Sequence, residues 1–334
     1  MANTEQVRVA FIGAGSLASR YHYPSVASFP DVELAATSDL IEEKARDASE
    51  RFGIPRVYTD YRQMLDDADP QVVYVIMPPQ HLFEPASTVL KQGRHLFVEK
   101  PPALTTLQAE MLAYFATEHG CLTAVGFQRR FVPALTALKA RVEERGPVHA
   151  ANVYFLKSAR QNRTRHAAFY DGVVNPLACD GIHAVDNLRF LCGGEVETVS
   201  AQVRRRYVPG PCPNEFTALV SFSSGAVGIV QYSVITGRRI FRAELHGPDI
   251  TAYVDADRDS SIVHDDGEPE GFESRSFGTA GGAPGDQPQH WLGFWHESRY
   301  FIDCVKAGTQ PHNNLADAAK SMALVDQILA AGTM

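Results

Sequence analysis

From Val7 to about Val125, short β-branched apolar runs alternate with amphipathic stretches, the rhythm of a parallel sheet covered by helices. Strands are expected at Val7–Ile12, Val32–Ser38, Val72–Met77, His95–Val98 and Leu122–Val125. Between them, helical periodicity predicts helices over Ser16–Ala27, Glu42–Phe52, Phe83–Lys91 and Thr106–Glu118. The last three are closed by Gly53, Gly93 and Gly120, where a C-cap favours glycine.

After Gly126 the pattern turns to longer alternating runs: Ala151–Lys157, Phe216–Phe222, Ala226–Val234, Ile240–Leu245 and Thr251–Asp255, with a hairpin turn at Ser223–Ser224–Gly225. This predicts a mostly antiparallel sheet. Two helices close the chain, Trp291–Lys306 and Leu315–Leu329, the second capped by Asn314 with Asp317 three residues on. The stretch 265–289, rich in Gly, Pro and Asp, reads as a surface loop, with an active-site lid as the sharper alternative. The fold class expected is α/β, with a dinucleotide-binding domain over 1–126 and an α/β domain with a large open sheet over 127–334.

Composition narrows the function. The 334 residues are 45% hydrophobic and 21% charged, enough to fold around a core, and the net charge of −8 disfavours a nucleic-acid partner. Five scattered cysteines without a CxxC pair suggest neither a disulfide framework nor a zinc ribbon, and no metal is expected. No apolar run approaches the roughly 18 residues a bilayer span needs, and MANTEQ passes into a strand without a signal-peptide core, so a cytoplasmic location off the membrane is expected.

Directly after the first strand comes Gly13–Ala14–Gly15–Ser16–Leu17–Ala18, a GxGxxA arrangement in strand, turn and helix context. The first glycine permits the tight turn, the second lets a pyrophosphate approach the backbone, and the small third residue lets helix pack on strand. The second strand runs into Asp39, 21 residues beyond Ala18, the position of a ribose-binding carboxylate. A carboxylate there accepts from ribose hydroxyls and repels a 2′-phosphate, so NAD is favoured over NADP. The alternative is a structural glycine loop with a surface Asp39.

Together with GxGxxA, the stretch Gly93–Arg94–His95–Leu96–Phe97–Val98–Glu99–Lys100–Pro101–Pro102 resembles the glucose-fructose oxidoreductase, inositol dehydrogenase and rhizopine-catabolism (Gfo/Idh/MocA) family. The resemblance continues through Gly126–Phe127–Gln128–Arg129–Arg130–Phe131, Gly181–Ile182–His183–Ala184–Val185–Asp186 and Phe301–Ile302–Asp303. It implies a Rossmann domain, a second domain whose open sheet serves homodimer or homotetramer contacts, and NAD(P)-dependent hydride exchange with a secondary hydroxyl or ketone of a sugar, cyclitol or derivative. It also implies that Lys100 lies beside nicotinamide and substrate, that His183 is the acid/base, and that Glu99, Pro78, His81 and Gln128 belong to the cofactor side. Arg130 is expected at the cofactor amide, at the domain junction or as a structural anchor. The chemistry needs such groups in any case. Removing an alcohol proton calls for a base near neutral pKa and a donor that stabilises developing oxyanion charge. Either residue is chemically able to take either part.

Two departures stand out. The family often has an aspartate four residues before the histidine, where this chain has Cys179, with the acid displaced to Asp180. A histidine the family places at Leu82 is displaced to His81. At about 100° per residue, Cys179, His183 and Asp186 share one helical face opposite Ile182, Val185 and Leu188. Asp180 then touches substrate or histidine, and Asp186 either orients the imidazole or is structural. Between strand and helix, Lys157, Arg160, Arg163, Arg165 and His166 form a basic cluster; the resemblance implies that this loop reaches the substrate, with Arg163 and Arg165 as contacts for an acidic, phosphorylated or nucleotide-linked sugar, and the alternative is a solvated or subunit-contacting loop. Two other functions stay open: a glycoside-cleaving enzyme that recycles its NAD, and a non-catalytic NAD-sensing regulator.

Overall fold

A computed structural model describes residues 6–158, 172, 174–207, 211–256, 260–265, 267–273, 275–277, 282–283 and 287–333. The chain divides into two compact units, Met1–Gln128 with Gln287–Ala319, and Arg129–Asp286 with Lys320–Met334. The stretch Gln287–Ala319, which the sequence rhythm placed with the second domain, thus clusters with the first unit.

In the first unit the strands β1 (Val7–Ile12), β2 (Val32–Ser38), β3 (Val57–Tyr58), β4 (Val72–Val75), β5 (His95–Val98) and β6 (Thr123–Val125) form one sheet in the order β3-β2-β1-β4-β5-β6. Every neighbouring pair is parallel. This is the doubly wound order, and strand order reverses between β1 and β4, the place where such sheets leave a crevice at their carboxyl ends. The strands read as unbroken apolar runs because both faces are covered; all four residues of β4 are buried. Phe11, Tyr23, Tyr74 and Phe97 stack through this core with ring centroids 4.1–4.8 Å apart.

The helices α1 (Tyr23–Ala27), α2 (Glu42–Phe52), α3 (Tyr61–Ala68), α4 (Phe83–Lys91) and α5 (Thr106–Glu118) connect these strands. Gly53 caps α2 at φ +69°, as the sequence predicts. The helix expected over Ser16–Ala27 contains a π turn, Ala18–His22, before α1. The two-residue β3 is too short to show a pattern, and helix α3, amphipathic with Met64, Leu65 and Ala68 on its buried side, is not among the elements expected.

The second unit opens with α6 (Pro133–Glu143) and contains α7 (Ile182–Cys192). Its strands are β7 (Ala150–Ser158), β8 (Val196–Arg204), β9 (Glu215–Phe222), β10 (Val227–Thr236), β11 (Ile240–Gly247), β12 (Ile250–Asp255), β13 (Ser260–His264), β14 (Glu270–Phe272) and β15 (Gly332–Thr333). They form a sheet in the order β14-β13-β12-β11-β7-β10-β9-β8-β15. Pairing is antiparallel except for β7 with β10 and β8 with β15. Alternation sends Val153, Phe155, Phe216, Val230, Tyr232 and Phe241 into the core beneath α6 and α7, while Leu219, Val227 and Ile229 stay exposed on the other face. At Gly228 a Cβ would meet Leu188 Cδ1 at 2.7 Å, so glycine there lets α7 lie close on β10.

The predicted helix Trp291–Lys306 is two helices, α8 (Pro288–Trp291) and α9 (Phe294–Ala307), broken at Gly293 with φ +94°. The last helix, α10 (Leu315–Ala331), begins as expected: Asn314 Oδ1 accepts the Asp317 N–H at 3.0 Å. Among the described residues no helix is long and apolar enough to cross a membrane.

Candidate functional site

Where β1 ends, Gly13 turns the chain at φ +103°, and a Cβ there would lie 2.1 Å from the Ile76 carbonyl oxygen. Only glycine fits. At Gly15 a Cβ would meet no heavy atom within 4 Å, so this glycine is not required by the protein's own packing. The Asp39 carboxylate accepts from the Ala14 N–H at 2.8 Å and from the Ile41 N–H at 2.9 Å. Ser16 and Leu17, at the start of the helix that follows, are exposed. Behind it, the Tyr23 hydroxyl bonds Thr37 Oγ1 at 2.6 Å, and burial pushes its pKa upward, so it stays protonated.

Beyond β5, Glu99 is buried and Lys100 half-buried, and the Lys100–Pro101 peptide is cis. Glu99 Oε1 lies 2.9 Å from His22 Nε2, and Glu99 Oε2 accepts the Lys100 N–H at 3.0 Å. After β4, Pro78 and His81 are exposed in a short turn, whereas Leu82 is fully buried. Gln128 is buried with its Oε1 meeting no hydrogen-bond partner among the described residues. An open cradle at Gly15, a carboxylate at Asp39 and this buried acceptor fit a dinucleotide bearing a carboxamide.

In the second unit a π turn, Leu177–Gly181, leads into α7 and carries Cys179 and Asp180. This corrects the regular helix assumed over 179–186: a wider turn separates Cys179 and Asp180 from His183, so the 100° spacing does not carry across it. Gly181 packs on β10, where a Cβ would sit 2.6 Å from the Tyr232 ring. That approach brings the Tyr232 hydroxyl to Asp180 Oδ2, to which it donates at 3.2 Å. Lys157 forms an ion pair with the same oxygen. His183, 4% exposed, lies edge-on to Phe155 with centroids 6.1 Å apart. The same ring has Lys157 Nζ at 4.8 Å and Arg129 Cζ at 5.8 Å from its centroid. His183, Asp180, Lys157 and Tyr232 thus form a nearly buried polar bed.

The helical face of His183 and Asp186 is as buried as the opposite one of Ile182, Val185 and Leu188, because α7 is buried from Ile182 to Arg189 on every side. Of the two parts considered for Asp186, the structure shows an anchor: it pairs with Arg130 and accepts from Ser321 Oγ at 2.9 Å. Arg130 is likewise anchored there. Lys157 lies in β7, at the end of the strand that the alternation predicts. Arg160, Arg163, Arg165 and His166 lie outside the described residues, as does much of 265–289. Sequence reasoning missed the parts of Lys157, Tyr232 and Arg129. The available signal was a lysine and a tyrosine at inward positions of alternating strands.

The "Oxidoreductase family, NAD-binding Rossmann fold" model of Gfo/Idh/MocA matches residues 7–127, and the "GFO/IDH/MocA C-terminal domain" model matches 137–252. The chain belongs to this oxidoreductase family, and its first unit is an NAD-binding Rossmann fold. Among its relatives, scyllo-inositol 2-dehydrogenase (NAD(+)) of Bacillus subtilis is 26% identical over 92% of this chain and 88% of its own length. Myo-inositol 2-dehydrogenase of Thermotoga maritima is 25% identical over 91% and 90%. A dehydrogenase structure from Chromobacterium violaceum superposes with a TM-score of 0.84 at 19% identity, covering 98% of this chain and 96% of that one.

Proposed function

We propose that this oxidoreductase moves a hydride between NAD and a secondary hydroxyl or ketone of a cyclitol or sugar. The observation that carries the reading is the polar bed of the second unit, where His183 and the charge-paired Asp180 are held nearly free of water within the family's motif segment. The relatives named for inositol oxidation support the substrate class. Bound NAD supplies the hydride acceptor. His183 takes the hydroxyl proton, and the Lys100 ammonium donates a hydrogen bond to the oxygen as its negative charge grows. Asp180, held anionic by Lys157 and Tyr232, accepts from a substrate hydroxyl. Asp39 reads the ribose, and the peptide at Gly15 meets the pyrophosphate. Cys179 on the π turn contacts the substrate, and Arg163 and Arg165 contact an acidic group where one is present. The exposed apolar residues Leu219, Val227 and Ile229 on the outer face of the nine-stranded sheet support assembly into a homodimer or homotetramer.

The test is a panel of inositols, aldoses, uronates and nucleotide sugars, each incubated with NAD and read at the absorbance of NADH. At least one class is expected to be oxidised with sustained NADH formation. NAD binding without oxidation of any panel member, or turnover with no net NADH, overturns the reading.

A further inference from the structure

The buried pair His22–Glu99 joins the two parts of the first unit that a hydride transfer uses, and the mechanism above assigns it nothing. His22 is fully buried in the π turn that continues from the glycine loop, and Glu99 is 3% exposed. Because a carboxylate only accepts, the 2.9 Å contact places the hydrogen on His22 Nε2. Nδ1 then meets no hydrogen-bond partner among the described residues. The ring is wedged edge-on against Phe97 and Phe294, each with centroids 5.3 Å away. The other carboxylate oxygen holds the backbone N–H of Lys100 at 3.0 Å. On the third side stands Gly126, where a Cβ would come within 2.7 Å of Glu99 Oε1. The carboxylate is therefore fixed by an imidazole, an amide and a backbone with no room for a side chain.

Burying such a pair is costly, and an apolar pair of the same volume is often as stabilising. Its distinctive property is direction: one oxygen faces the helix that begins at the cofactor loop, the other the backbone of Lys100. We infer that His22 is a positioning residue that, through Glu99, sets the Lys100 backbone in register with the dinucleotide-binding turn. Glu99 then serves the cofactor side indirectly. The inference rests on the reading that Lys100 works beside NAD.

The test measures acetylation of Lys100 by acetic anhydride, followed by mass spectrometry, with and without saturating NAD. It is run on the parent protein, His22→Phe, His22→Gln and Glu99→Gln, alongside NAD affinity and thermal midpoint. In the parent, NAD is expected to slow Lys100 acetylation by about tenfold or more, as a shielded, oriented amine requires. In His22→Phe and Glu99→Gln the protection drops to about twofold while the NAD dissociation constant stays within about threefold, and His22→Gln, which keeps a side-chain N–H donor, recovers most of it. Should the phenylalanine variant fold poorly, Glu99→Gln decides alone, since it keeps the shape and replaces one accepting oxygen by an amide. Absence of NAD protection in the parent overturns the placing of Lys100 beside the cofactor. Full protection in the parent and equally in His22→Phe and Glu99→Gln overturns only the positioning role. A loss of protection matched by an equal loss of NAD affinity also overturns it, because that is what a merely structural pair would give.

Discussion

The carboxylate of Asp39 accepts a hydrogen bond from the backbone N–H of Ala14 at 2.8 Å, across 25 residues of chain. Its other oxygen takes the Ile41 N–H at 2.9 Å. One side chain therefore braces the glycine turn, and in the function proposed above it also discriminates ribose from its 2′-phosphate. Asp39→Ala removes both functions. Hydrogen bonds to a charged group contribute about 1.5–3 kcal/mol, so NAD affinity is expected to fall by roughly 10–100-fold while the preference over NADP narrows. Fluorescence titrations with each coenzyme measure this. Tighter binding of NADP than NAD by the unaltered protein would contradict the role given to Asp39.

The two glycines of the turn are expected to separate folding from binding. Gly13→Ala combines φ +103° with a Cβ 2.1 Å from the Ile76 carbonyl oxygen, and is expected to cost at least about 2 kcal/mol of stability. Gly15→Ala meets nothing within 4 Å, so its thermal midpoint stays at the parent value while NAD affinity falls about tenfold or more. Parent-like NAD binding by Gly15→Ala would remove that peptide from the cofactor cradle.

Much of the first unit was legible because its information is local. Continuous apolar strands, glycine C-caps and a turn followed by an acid at the end of β2 all lie within a short window, and the predicted strands agree with β1, β2, β4, β5 and β6 to within two residues. What the sequence hid depends on contacts or on backbone detail. The π turns at Ala18–His22 and Leu177–Gly181 leave no hydrophobic signature, yet they carry His22 and Asp180. The break at Gly293 lies inside an amphipathic run that reads as one helix. The partners of Asp180 come from separate strands, Tyr232 from 52 residues away, so no spacing rule reaches them. Alternation did hold a clue, because a charged residue at an inward position, such as Lys157, needs a buried counter-charge.

Lys100→Ala and His183→Ala are each expected to lower turnover by roughly 10²–10⁴ while leaving NAD binding nearly intact, the signature of groups that act on the reacting oxygen. Turnover numbers and coenzyme dissociation constants for both variants provide the check. A variant that turns over normally loses its place in the chemistry.

Acid stability has a local source in the first unit. Asp31 accepts from Arg299 Nη1 at 2.7 Å and from Lys306 Nζ at 2.6 Å. Burial alone would raise its pKa, but the hydrogen bonds and positive charges of Arg299 and Lys306 outweigh it and hold the carboxyl at about 2, below its ordinary 3.8. A lowered folded-state pKa means that the stabilisation is complete above the unfolded value and fades as pH falls from about 4 towards about 2. After allowance for solvent screening, Asp31→Asn is expected to cost about 1 kcal/mol at neutral pH. Thermal midpoints of parent and variant should converge over that acid window. A gap that persists undiminished at pH 2 would show that the carboxylate charge is not its cause.

Asp180 is the point at which the folding of the second unit meets the chemistry proposed for it. Its carboxylate compensates the buried Lys157 ammonium and accepts from Tyr232, so Asp180→Asn removes a counter-charge from the interior. Breaking a buried pair on one side typically costs about 3–5 kcal/mol, whereas replacing both partners by neutral groups costs far less. Asp180→Asn alone is therefore expected to be markedly less stable to urea than Lys157→Met/Asp180→Asn, in which neither charge remains. Activity should not follow the same order. If Asp180 also accepts from the substrate, the double variant regains stability but remains slow, with turnover at least tenfold below the parent. A double variant no more stable than the single one would show that the two charges are not coupled. A stable double variant with parent turnover would leave Asp180 as part of the scaffold alone.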